Sequence, residues 1–259
     1  MLVAPVDIRH DHGHLHIIQI SVHHQLWSQL MRSRIVAAAV LVLVMASPSV
    51  RAEALIQLLP ADGEWVAFQT TVEANGKSES SIWTVKSVGK KEVAGVACRW
   101  IEMQLMNEER NLILIKCLIP ESEFGKGKHP LGKAKQVFLK QGNRELAEFP
   151  SLAVAHPLVS VVLQGPGANA KKLDEKEAVE MQAGKIECDV ISGTSEGDLG
   201  FVKATLTHRL LLTDKTAFGL AGAKVEITVT VNGKTETLKA EHSLKESGKD
   251  AKSALPDVQ

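Results

Sequence analysis

The stretch Trp65–Val88, WVAFQTTVEANGKSESSIWTVKSV, decides how the chain is read. Trp65–Glu73 and Ser81–Val88 are rich in β-branched and aromatic residues, and Asn75-Gly76-Lys77 lies between them. Asn and Gly both tolerate the positive φ angles of a tight turn, so the stretch predicts a β-hairpin. The same signal returns at Asn232-Gly233-Lys234, between Lys224–Val231 and Thr235–Ser243. Two further strand groups lie between these hairpins. Ala97–Met106 and Asn111–Ile119 turn at Asn107–Arg110, and the segment starting at Lys185 (KIECDVIS) continues with Phe201–Leu212. The chain therefore reads as mainly β (α+β), a curved antiparallel sheet or incomplete barrel with one or two short helices.

Two apolar segments are candidates to cover the sheet. Pro130–Gly142 has Pro at a first helical position, with Leu131, Ala134, Val137 and Phe138 at helical spacing. Pro157–Gly165 (PLVSVVLQG) is almost wholly apolar and suits either a short helix or a strand. A curved antiparallel sheet needs something apolar against its concave face. Val137, Phe138, Leu158, Val159, Val162 and Leu163 are thus the candidate lining of an apolar cavity. Ala94-Gly95 before Cys98 and Ala183-Gly184 before Cys188, with the two Asn-Gly-Lys turns, hint at a twofold internal similarity.

Upstream, Met31–Ala52 carries a secretion pattern. Arg32 and Arg34 precede the apolar run Ile35–Ala46, and Val50-Arg51-Ala52 supplies the cleavage site. The run is too short to span a bilayer, which takes about 20 residues, so no stable membrane anchor is expected. Residues 1–30 read as a mis-assigned upstream extension, 31–52 as signal peptide, 53–245 as one β-rich domain and 246–259 as a disordered polar tail. The expected destination is periplasmic or extracellular. Six of the ten histidines, including those of RHDHGHLH (residues 9–16), fall in the extension and leave with the leader. No metal site is expected in the exported part, because its histidines lack ligand spacing.

Cleavage after Ala52 leaves 207 residues with 26 basic against 28 acidic side chains. That balance provides no electrostatic footprint for nucleic acid. Aromatic residues are only 4%, with no tyrosine, which argues against a stacking platform. Cys98, Cys117 and Cys188 all lie in the exported part. Cys98 and Cys117 fall on strands joined by a short turn, so a disulfide between them is expected, worth about 3 kcal/mol, with Cys188 free.

Two enzyme-like spacings occur. Gly193-Thr194-Ser195-Glu196-Gly197 matches G-x-S-x-G, with Asp214 and His242 following in hydrolase order. The motif needs a strand before and a helix after, whereas Phe201–Leu212 reads as a strand. Gly127–Lys133 (GKHPLGK) has the spacing of a phosphate loop, but Ala134 stands where Ser or Thr would hold Mg²⁺. No cofactor is expected, and a serine hydrolase around Ser195 is the weaker alternative to a non-enzymatic binding or structural role.

Val96–Glu102 (VACRWIE) followed by Leu118–Glu123 (LIPESE) resembles uncharacterised exported proteins of planctomycete-type bacteria. More distantly, the order of strands, interrupting segment and Phe218-Gly219-Leu220 before the last hairpin resembles the lipoprotein-carrier (LolA/LppX-like) superfamily over about Glu64–Leu244. That resemblance implies an incomplete barrel enclosing an apolar cavity for an acyl chain or similar small molecule. Otherwise the expected partner is a component of the cell envelope, or there is no ligand at all.

Overall fold

The structure is a computed structural model that describes residues 56–74, 76–107, 112–125, 128–152, 170–181, 184–198 and 202–256. Its architecture is one open antiparallel sheet of eleven strands. These are β1 (Trp65–Ala74), β2 (Lys77–Val93), β3 (Val96–Asn107), β4 (Leu112–Pro120), β5 (Gln136–Gln141), β6 (Ala147–Phe149), β7 (Lys171–Met181), β8 (Gly184–Asp198), β9 (Val202–Leu212), β10 (Leu220–Val231) and β11 (Lys234–Gly248). Two meanders, β1–β6 and β7–β11, run outward in opposite directions from a seam where β1 pairs with β11. The mainly β reading holds, with almost no helix among the described residues.

The Asn-Gly turns form as their chemistry requires. Asn232 and Gly233 have φ of 49° and 78°, and Val231 lies opposite Lys234 across a two-residue loop. Ala74 likewise lies opposite Lys77, with Gly76 at φ 72°. The shared turns do not mark a repeat. Asn-Gly precedes Ala-Gly in the first meander and follows it in the second, so turn chemistry alone accounts for both.

The expected helix over Pro130–Gly142 is corrected. Pro130–Lys133 makes one 3₁₀ turn, and Gln136–Gln141 is strand β5, paired with β4 and β6. The open edge of β4 outcompetes a marginal helix, because pairing satisfies backbone groups on a strand already buried on both faces. The tail is corrected as well. β11 runs through Gly248, and residues 249–256 continue onto the sheet, where Leu255 is buried. Pro157–Gly165 lies outside the described residues.

Alternation sorts the strands into two faces. The core face carries Val66 and Phe68, Trp83 and Val85, Ile101 and Met103, Ile115 and Cys117, and Leu244 in one contiguous cluster. Its end is closed by Ile56 and Phe218, whose segments are tied by the Gln57 N–H donating to the Phe218 carbonyl at 2.9 Å. Behind β3–β5, Trp100, Leu118, Phe138 and Cys98 form a smaller cluster on the opposite, back face. At the far end the sheet coils until β7 lies beside β11. There Glu177 of β7 reaches both Arg209 of β9 and Lys224 of β10.

Gly248 sits opposite Trp65 on the seam. A Cβ there would fall 2.6 Å from the indole Nε1 and 2.9 Å from Cζ2, so the ring lies directly on the glycine backbone. Gly248→Ala should displace the indole and lower stability by about 1–3 kcal/mol, the usual cost of overpacking. Urea unfolding followed by tryptophan emission measures this; an unchanged midpoint would show that the ring moves freely.

Candidate functional site

Two polar groupings stand out among the described residues, one on each face. On the core face, His242 of β11 lies opposite Thr70 of β1. Its Nδ1 is 2.8 Å from Thr70 Oγ1, and Trp83 meets the ring edge-on with centroids 5.5 Å apart. His242 Nε2 has no hydrogen-bond partner among the described residues. Beside the ring is a cavity of about 20 Å³, walled by Phe68, Trp83, Met103, Phe218 and Leu220. One water needs about 10–15 Å³, whereas a drug-sized ligand takes about 300–1,000 Å³. The space has room for about one water-sized molecule beside His242.

Burial pushes the His242 imidazole down to about 4, and electrostatic repulsion with His208 adds to the effect. At neutral pH it is therefore an uncharged hydrogen-bonding group inside an apolar wall. The thiols are quenched in the same way. Burial raises Cys98 and Cys188, and pushes Cys117 up to about 12. None presents a thiolate for nucleophilic or redox chemistry.

The expected disulfide is corrected by register. The hairpin β3–β4 forms, but Cys117 lies opposite Ile101 and Cys98 opposite Pro120. Positions 98 and 101 are an odd number of residues apart, so the two thiols point to opposite faces. Cys117 joins the core-face cluster and Cys98 the back-face one, and all three cysteines are free. Val137 and Phe138 are separated by the same rule, since adjacent strand residues face opposite ways. Val137 joins the core cluster, and Phe138 packs on Trp100 with centroids 6.1 Å apart. They cannot line one cavity. Leu158, Val159, Val162 and Leu163 lie outside the described residues.

Ser195 sits within β8, opposite Leu206 of β9. Gly193–Gly197 is thus strand, neither a strand-to-helix elbow nor the glycine-rich turn its composition suggests. His242 is on β11, with β9 and β10 between it and β8. The three residues of the hydrolase spacing do not assemble.

The back-face grouping has a signal in the sequence, Lys116 inside the apolar run LILIKCLIP and Glu102 inside WIEMQL, but neither residue shows its partner there. Both side chains are fully buried. The Glu102 carboxylate accepts the backbone N–H of Ala254 at 3.1 Å and of Leu255 at 3.4 Å. Ser253 Oγ lies 2.7 Å from it, and Gln104 Nε2 donates at 2.8 Å. Lys86 Nζ stands 3.8 Å away. Lys116 Nζ donates to Ser253 Oγ at 3.1 Å and sits 5.1 Å from the Trp100 ring centre.

No protein-family model and no curated protein matches the chain. Among solved structures it is similar to a Bacteroides fragilis protein described as exported with a YmcC-like fold. The identity is 11% and the TM-score 0.36, over 76% of this chain and 100% of that one. A Parabacteroides distasonis protein described as a lipoprotein gives 10% identity and a TM-score of 0.36, over 76% and 99%. The MucA/MucB complex of Pseudomonas aeruginosa gives 8% identity and a TM-score of 0.14, over 70% and 88%. At these scores the likeness assigns no role to the chain.

Two outcomes follow from this geometry. His242 has a folded value near 4 against an ordinary 6.5, so between those values the unfolded chain binds more protons and stability falls with acidification. The loss attributable to His242 is about 3 kcal/mol across that window. Urea midpoints from pH 7 to 4 should show a shallower pH slope for His242→Gln than for the unmodified chain. For the thiols, a chromogenic disulfide reagent should find no reactive cysteine in the native protein and all three after unfolding. A peptide linking Cys98 to Cys117 would contradict the strand register.

Proposed function

We propose that this chain is an exported, non-enzymatic protein of the cell envelope, working through its sheet surface on an envelope partner and carrying no small-molecule ligand inside. The close apolar packing of the core face among the described residues is the observation that carries the reading. Its cavity at His242 measures about 20 Å³, far short of the several hundred Å³ that an acyl chain or similar ligand requires. The buried imidazole and thiols, held in their neutral forms, suit a packed interior rather than acid–base or nucleophilic catalysis. Export is supported by the Met31–Ala52 leader pattern. A surface role is supported by Ile82 and Met106, which are cross-strand neighbours on the back face and 36% and 44% exposed.

Native mass spectrometry of the protein purified from its own host tests both parts. The expected species begins at Glu53 and has the mass of the bare polypeptide. A retained leader would remove the export reading. A co-purifying lipid mass, released on denaturation, would replace the surface role with that of an apolar carrier.

A further inference from the structure

We propose that the back-face groove at Glu102 and Lys116 is a capture site for a short polypeptide segment, filled in cis by residues 249–256, and that it takes the same segment from a second copy of this chain. The contacts identify the ligand class. Glu102 is read by two successive backbone N–H groups, those of Ala254 and Leu255, and by the Ser253 hydroxyl, which also receives Lys116. The groove thus recognises a bent backbone carrying one hydroxyl, and Leu255 is a buried apolar anchor beside it.

A vacant groove is disfavoured, because removing the segment takes from the Glu102 carboxylate two backbone N–H donors and the Ser253 hydroxyl, leaving Gln104 and Lys86 beside it. The groove therefore demands an occupant. It has no means of distinguishing its own tail from that of an identical chain. The leash favours exchange. Between Gly248 and Ser253 the chain is tied to the sheet by the Ala251 N–H donating to the Gly63 carbonyl at 2.8 Å. Lys249, Asp250 and Lys252 are exposed there, and Asp250 adopts φ 69°. A short, mostly exposed segment opens well before the sheet it rests on. An identical element supplied in trans restores every contact, which is the low-cost route to exchange between copies.

Two measurements on the full-length chain decide the matter. In hydrogen exchange of the unmodified protein, the Ala254 and Leu255 amides should exchange at least tenfold faster than those of the β3–β4 ladder. Exchange of these amides only with the whole sheet would show a fixed tail and overturn the proposal. Second, a fluorescent peptide of sequence KDAKSALP, matching residues 249–256, should bind saturably to the Ala254→Pro chain, whose own tail lacks one donor. Adding Glu102→Gln to that chain should weaken peptide binding at least tenfold. A folded Ala254→Pro chain that ignores the peptide, or binds it equally with Gln at position 102, would also overturn the proposal.

Discussion

Strands β1 and β11 are the first and last of the sheet in sequence, yet they lie side by side at its centre. Every other feature hangs on that pairing. Without it the chain would be two separate meanders, each exposing a long unpaired edge, which is a template for aggregation. With it, the outermost strands are β6, only three residues long, and β7, whose sequence KKLDEKEAVEM is dense in charge. Both kinds of edge discourage further pairing. The seam also assembles the core-face grouping, since Thr70 and His242 are 172 residues apart in sequence and meet only across it. Contacts of that separation make folding slow, because loop closure precedes the burial that rewards it.

The tail reinforces the same seam from behind. From Gly248 it passes Gly63 beside β1 and ends on Glu102 of β3 and Lys116 of β4. It thereby ties the last strand of one meander to the middle of the other. The cluster it completes differs in kind from the surface pairs on β7 and β8. Lys172–Asp189 and Lys176–Glu187 are largely exposed, and such pairs contribute at most about 1 kcal/mol each. Glu102 and Lys116 are enclosed, so losing one partner leaves a buried group unsatisfied. Arg99 follows the same logic at the β2 bulge, donating to Glu121 at 2.8 Å and to Ser87 at 3.2 Å.

Much of the strand pattern is legible in local chemistry. The hairpins at Asn75-Gly76 and Asn232-Gly233 and the β3–β4 pair form where turn residues and β-branched runs place them. β5 and β7 are not legible in that way. QVFLKQ has helical spacing and KKLDEKEAVEM lacks apolar alternation, so each becomes strand only because an open sheet edge is available to it. Gly193–Gly197 shows the converse, since its composition suggests a turn while pairing to β9 keeps it extended.

The sequence by itself determined the class of fold, because turn propensity and strand-like composition act over a few residues and need no distant partner. It also determined the near-neutral charge and the leader pattern. Only the tertiary structure decided which residues share a face, because in a strand one position of register reverses every side chain. That reversal separates Cys98 from Cys117 and Val137 from Phe138. The partners of His242 and Glu102 belong to the same class of fact. Their environment is built by segments far away along the chain, and no local pattern encodes which of those segments will arrive.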